Sequence, residues 1–156
     1  MIKLEQVHED SVYVEAWYAI RNHPKVRQWS RKTRAISEAE HRRWFAVSLR
    51  NPLRRLYLVR AQVPLRPGWT VIGIARLDHR KTWTELSLAV DPLYWGRGYG
   101  KMIVRLLTKA AIELTWPAPG AVVNGKNAAS LKICMAAGYV TEAKKWVQLT
   151  YSRGPR

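Results

Sequence analysis

Cysteine, acidic side chains and long apolar runs are all scarce in this chain. The single cysteine, Cys134, excludes an intrachain disulfide. No apolar run reaches the ~18–20 residues that a membrane-spanning helix needs. The opening segment Met1-Ile2-Lys3-Leu4-Glu5-Gln6 has no apolar h-region, so it does not read as a signal peptide. These features point to the reducing cytoplasm. The four histidines have no ligand spacing and no cysteine partners, and no metal is expected. Two phosphate-binding patterns are missing as well. There is no Gly-Lys-Ser/Thr ending of a P-loop and no Gly-x-Gly-x-x-Gly dinucleotide fingerprint.

The shortage of carboxylates leaves a strong imbalance. Eleven Asp and Glu face 27 Lys and Arg, a net charge of +16. The excess is concentrated: Arg21 to Arg60 carries twelve basic residues against two acidic ones, Glu38 and Glu40. A basic surface attracts polyanions, so nucleic acid is one class of partner. A solubilising surface with no partner is the other reading. No nucleic-acid reader motif occurs, and the aromatics are not interleaved as in single-strand binders.

At 156 residues, with 47% hydrophobic residues, the chain suits one soluble domain with a proper core. Residues 2–7 read as a strand. Asp10 is a candidate N-cap for a helix to about Arg21, with Val12, Ala16, Trp17 and Ile20 on one stripe. Asn22-His23-Pro24 ends it, and residues 23–36 read as loop or broken helix. Ser37-Glu38-Ala39-Glu40 is a capping box opening a helix to about Arg50. His41 lies on the packing stripe of that helix. Leu56–Val63, Thr70–Leu77 and Trp83–Val90 follow as an antiparallel meander, with turns at 64–68 and 78–82. A helix runs over Met102–Leu114, with Ile103, Leu106, Leu107, Ala110, Ala111 and Leu114 on one face. Ala121–Val123 is a short buried strand. Asn127 caps a helix to about Ala137, ended by Gly138. Strands Tyr139–Ala143 and Trp146–Tyr151 close the chain around a tight turn. The order is β-α-α-β-β-β-α-β-α-β-β: an α+β fold of seven strands, mixed but mostly antiparallel, and four helices.

The stretch between the third meander strand and its helix carries the chemistry. Trp95-Gly96-Arg97-Gly98-Tyr99-Gly100-Lys101 places glycine at every second position ahead of a helix start. Glycine allows positive φ and close ligand approach. The helix start offers unpaired N–H groups and the positive end of the dipole. Arg97 adds a cationic fork. Together these make a cradle for a diphosphate.

With that motif in place, nearly the whole chain resembles the GNAT superfamily of acyl-CoA-dependent N-acyltransferases. The family motif Gln/Arg-x-x-Gly-x-Gly/Ala stands here as Trp95-Gly96-Arg97-Gly98-Tyr99-Gly100. Its two glycines match, and Trp95 replaces the first donor. A second motif matches at Asn127, Ser130, Gly138 and Tyr139. Arg21–Pro24 and Glu40–Phe45 are similar to the nucleotide-sugar N-acetyltransferases of the pseudaminic acid pathway. The resemblance implies acetyl-CoA as co-substrate. Its arm is expected along Leu88, Ala89 and Val90, its diphosphate on Trp95–Lys101, and Asn127 and Ser130 nearby. Lys101, Lys126 or Lys132 would reach the 3′-phosphate.

Direct transfer to an amine needs a base, a polarised carbonyl and a proton for the leaving thiolate. The backbone N–H of Val90 is the expected oxyanion donor and Glu85 the first candidate base, with Asp78 and His79 next. Cys134 stands where family members often carry a tyrosine. Its pKa, nearer neutrality than a phenol's, makes it one candidate acid, beside Ser130, Tyr139 and water. The acceptor zone is the basic region, which favours an amine on a small anionic carrier such as a nucleotide-linked amino sugar, then an RNA-associated or protein amine. Trp29, Trp44 or Trp146 are candidates to stack on it. A monomer or homodimer is expected. A coenzyme-binding protein without catalysis and a basic nucleic-acid module are the competing readings.

Overall fold

The computed structural model describes residues 1–141 and 146–152. Seven strands form one sheet in the order β1-β2-β3-β4-β5-β7-β6. They are β1 Ile2–Gln6, β2 Arg54–Ala61, β3 Thr70–His79, β4 Thr84–Val90, β5 Pro119–Asn124, β6 Tyr139–Thr141 and β7 Trp146–Tyr151. All neighbouring pairs are antiparallel except β4 and β5. The α+β expectation and the strand order along the chain are met. The expected end of the sixth strand, 142–143, and the tight turn after it, 144–145, lie outside the described residues.

Among the described residues five α-helices accompany the sheet: α1 Ser11–Asn22, α2 Pro24–Arg27, α3 Glu38–Arg50, α4 Tyr99–Glu113 and α5 Ala128–Ala136. The fifth is the short α2, inside the segment read as loop or broken helix. Proline at its first position is pre-set for the helix, and His23 Nδ1 accepts from the Lys25 N–H at 3.2 Å. Asp10 and Asn127 cap α1 and α5 as their side chains predict. The capping box at Ser37 forms only half. Ser37 Oγ accepts from the Glu40 N–H at 3.2 Å, but the Glu40 carboxylate turns to Arg34, at 2.7 and 3.0 Å. A bidentate guanidinium is the stronger partner.

The sheet carries a core on each face, because strand side chains alternate. One face packs Tyr57, Val59, Ala75, Leu77, Leu86, Leu88 and Val90 against Ile103, Val104 and Leu107 of α4. The other packs Leu56, Leu58, Ile74 and Ala89 against Trp17 and Ile20 of α1 and Phe45 of α3. The buried stripe of α4 is Ile103, Val104, Leu107, Thr108 and Ala111, rotated from the expected one. Thr108 is tolerated there because its hydroxyl bonds the Val104 carbonyl at 2.8 Å and Tyr139 Oη at 2.7 Å.

Candidate active site

The strand β4 is held differently along its two edges. It pairs with β3 over its whole length, from His79↔Thr84 to Gly73↔Val90. It pairs with β5 only at Thr84, Glu85 and Leu86. Beyond Leu86 the two strands diverge, while β5 stays paired to β7 as far as Asn124. Gly73 helps to hold β4 on the β3 side. A Cβ there would lie 2.7 Å from the Ala89 carbonyl oxygen, so only glycine permits this approach.

The hydrogen-bond phase decides which groups face the split. The Asp91 N–H donates to the Ile72 carbonyl at 2.9 Å, so Asp91 and Ile72 form a hydrogen-bonded antiparallel pair. Alternation then turns the N–H and C=O groups of Leu88 and Val90 away from β3, toward the gap. Trp95 takes up one of them. Its indole Nε1 donates to the Val90 carbonyl at 2.7 Å.

A cavity of about 510 Å³ passes through this gap and reaches both faces of the sheet. On the α4 side its wall includes Val104, Ile133, Cys134 and Tyr139. On the α1–α3 side it includes Arg21, Arg76, Glu85 and Trp44. Of the residues singled out in the sequence, Glu85, Leu88, Ala89, Asn127, Ser130 and Cys134 all line it. Val90 and the segment Trp95–Lys101 do not. They lie outside its lining, where β4 ends and α4 begins.

That segment has the conformation its composition calls for. Gly96 and Gly98 take φ of +75° and +79°, and a side chain at either would point into open space. Gly98 is the N-cap of α4, and Met102 is the first residue whose N–H bonds back, to the Gly98 carbonyl. The helix starts at Tyr99, three residues before the expected Met102. The preceding amides are therefore free of intrahelical partners. Arg97 lies over the Tyr94 ring at 5.6 Å. Gly100 packs inward, where a Cβ would stand 2.7 Å from Ile133 Cδ1. Lys101, Lys126 and Lys132 are exposed.

The candidate base, Glu85, is buried at 7% exposure. Arg80 binds its Oε2 through Nε at 2.9 Å and Nη2 at 2.6 Å, and Arg31 Nη2 stands 3.8 Å from Oε1. The alternatives read beside it fare differently. Asp78 is not part of the cavity wall and is enclosed by Arg54, Arg76 and Arg80. His79 packs edge-on against Trp116 at 5.4 Å. Cys134 lines the cavity, but burial pushes its thiol up to about 11. The expectation of a pKa nearer neutrality is thus reversed, since an apolar wall disfavours the thiolate. Burial likewise pushes Tyr139 up to about 12.

His41 packs, as its place on the stripe predicts. It is 2% exposed, its Nε2–H donates to the Val14 carbonyl at 3.0 Å, and its ring stacks on Trp44 at 5.9 Å. Trp29 and Trp44 both border the cavity. The side chain of Trp146 lies outside what is described.

Sequence reasoning missed the partly buried arginines. Arg76 stands on β3 between Ala75 and Leu77, with Arg54 of β2 close by. The available signal was a pair of charges, Arg76 and Asp78, at inward alternate positions of an otherwise apolar strand.

A family model described as an acetyltransferase (GNAT) domain matches residues 2–140. No curated protein matches the sequence significantly. Solved structures share the fold at low identity. A domain from Methanocaldococcus jannaschii superposes with a TM-score of 0.82 at 17% identity, covering 96% of this chain and 97% of that one. Spermidine N-acetyltransferase from Vibrio cholerae, in complex with CoA and spermine, gives 0.79 at 12% identity, covering 96% and 92%. The Campylobacter jejuni N-acetyltransferase PseH, in complex with acetyl coenzyme A, gives 0.69 at 18% identity, covering 99% and 100%. With the family model spanning most of the sequence and the split sheet in place, this chain belongs to the GNAT acetyltransferases, enzymes of acyl transfer.

Proposed function

We propose that the protein transfers an acetyl group from acetyl-CoA to the primary amine of a small anionic acceptor, both being bound at once. The observation that carries this reading is the single cavity running through the β4–β5 split, with an apolar side toward α4 and an arginine-rich side toward α1 and α3. Donor and acceptor can then approach the same point from opposite faces.

The free amides at Tyr99–Lys101, the glycines beside them and Arg97 would hold the diphosphate. Lys101, Lys126 and Lys132 are the cations in reach of a further phosphate. The arm would enter the gap and pair with the N–H and C=O of Leu88 and the N–H of Val90, the Val90 carbonyl being held by Trp95. Asn127 and Ser130 would border it. CoA complexes among the structural neighbours support this placement.

The strand geometry favours Leu88 over Val90 as the N–H that polarises the thioester carbonyl. At ~3.3 Å per residue, Glu85 is about 10 Å from Leu88 along the strand and about 16 Å from Val90. Only the nearer position leaves Glu85 able to take the amine proton through water. Glu85 points to the acceptor face, and its Oε1 is the oxygen not bound by Arg80. A Cys134 thiol held at about 11 keeps its proton at neutral pH and is a weak donor. The leaving thiolate then takes a proton from solvent or from the ammonium nitrogen of the tetrahedral adduct as it collapses to the amide.

The acceptor side carries Arg21, Arg31, Arg34 and Arg76 along its wall. A polycationic amine would meet repulsion there, whereas an amine on a phosphate- or carboxylate-bearing carrier would be drawn in. A nucleotide-linked amino sugar fits this description, with Trp29 and Trp44 as stacking surfaces.

The test is thiol release from acetyl-CoA across a panel of amines, matched in size but differing in charge. Anionic amines, nucleotide-linked amino sugars included, are expected to give turnover. Polyamines as the only productive acceptors would overturn the acceptor class. Failure of acetyl-CoA to raise the melting temperature at millimolar concentration would overturn the whole reading.

A further inference from the structure

The wall of the acceptor side contains a cation with an unused donor. Arg21, on α1, lines the cavity, and its Nη1 is buried with no hydrogen-bond partner among the described residues. Its Nη2 makes one long contact, 3.5 Å to the Lys32 carbonyl. Guanidinium stays charged in proteins, so the group cannot shed its charge to relieve burial. Burial, Arg76 and Arg27 all act against its charged form, and no carboxylate among the described residues acts on it.

Among the described residues, the surrounding cluster does not supply Arg21 with a counter-charge. Asp78 is shared between Arg54, Arg76 and Arg80. Glu85 is engaged by Arg80 and faced by Arg31. Among the described residues, five arginines, numbers 21, 31, 54, 76 and 80, thus stand around two carboxylates. Among the described residues the local excess is positive, and two buried donors in it lack a hydrogen bond: Arg76 Nε, which still stands 2.7 Å from Asp78 Oδ2 as an ion pair, and Arg21 Nη1, which has neither. A buried donor left unpaired is costly, and a charged one more so. A ligand oxyanion would repair both deficits at once.

We infer that Arg21 is the acceptor's anion anchor: its buried Nη1 binds a phosphate or carboxylate oxygen of the acceptor and so fixes how the amine is presented to the split in the sheet. The inference rests on the acyltransferase reading of this cavity and adds to it a named residue and a ligand group. The same residue also sets what is refused. An amine without an anionic group leaves Nη1 unpaired and loses affinity, and a polycation is repelled as well.

The experiment uses the whole protein saturated with CoA, so that the helix-start cradle is already filled. Inorganic phosphate, 4-aminobutyrate and, as the control without an anion, butylamine are titrated in by calorimetry at low salt. Phosphate and 4-aminobutyrate test the two oxyanion chemistries separately. Either or both should bind, and butylamine should not. Arg21→Met should weaken the binding anion by about tenfold or more, as expected for a charge-assisted hydrogen bond. Arg21→Lys should retain part of it, because the charge remains but the fork is lost. Affinity for CoA should be unchanged in both variants. Should Arg21→Met fail to fold, Arg21→Lys carries the comparison with wild type.

Equal anion affinity in wild type and variants would overturn the assignment, as would the absence of any anion binding to the CoA-loaded protein. If CoA itself does not bind, the acyltransferase reading fails instead, and the two failures are distinct. In turnover, kcat/KM for anionic amines should fall through KM, with their kcat little changed. A purely structural Arg21 would lower both alike.

Discussion

The indole of Trp95 closes back onto the strand it follows: its Nε1 donates to the Val90 carbonyl at 2.7 Å. A residue that replaces the family's polar donor therefore spends its only hydrogen-bonding group on protein. Trp95→Phe should cost about 1 kcal/mol of stability in urea denaturation, the worth of one partly exposed hydrogen bond. Its affinity for CoA should stay within about twofold, because the lost donor never faced the ligand.

Gly98 is the more sensitive position. It holds φ at +79° with open space where a side chain would stand. Gly98→Ala should cost about 1–2 kcal/mol through backbone strain alone. It should also weaken CoA by about tenfold or more, since the new methyl projects from the loop that presents the amides. Calorimetric titration of CoA, with urea denaturation beside it, separates the two effects.

Replacement of Glu85 by Gln removes the candidate base and one of the two carboxylates among five arginines. Glu85→Gln should lower kcat by about 100-fold with little change in CoA affinity, the size expected for a lost general base. It should also cost about 1–3 kcal/mol, a range discounted because Arg80 is 43% exposed. Asp78→Asn is the contrasting variant. Asp78 is outside the cavity wall, so its loss should show in the melting temperature and leave the kcat of the folded fraction near wild type.

His41 gives the fold a pH dependence with a definite sign. Burial lowers its pKa below the ordinary value of 6.5, and the Val14 carbonyl only partly offsets this. The unfolded chain therefore binds a proton at a higher pH than the folded one. The stabilising contribution is whole above about pH 6.5 and is lost as the pH falls from there toward the folded pKa. The limiting slope is about 1.4 kcal/mol per pH unit. Denaturation at pH 7.5, 6.5 and 5.5 should show the fall in wild type, and His41→Gln should flatten it.

Local signals in the sequence were reliable where the partner is also local. Asp10, Ser37 and Asn127 each bond an amide two or three residues on, so their types and positions sufficed. The glycine stretch before α4 was legible for the same reason. The segment 23–36 was not, because distant groups shape it. Asn22 bonds both the N–H and the carbonyl of Ile36, at 2.9 and 3.1 Å, and Tyr18 Oη also donates to that carbonyl, at 3.0 Å. The arginine cluster was hidden too. A count of basic residues reads as surface, and only the register of β2 and β3 brings Arg54, Arg76 and Asp78 together. The shifted thiol of Cys134 depends on the apolar wall around it, which no neighbour in sequence announces.

The divergence of β4 from β5 leaves Ser87–Val90 as a strand margin inside the sheet with one side unoccupied. Such a margin is a template on which another chain can add a strand. Under the proposed function the arm of the co-substrate would cover this margin, and the protein without it would carry an aggregation hazard there. Concentrated stocks should remain clear longer with CoA than without it, by light scattering at equal ionic strength.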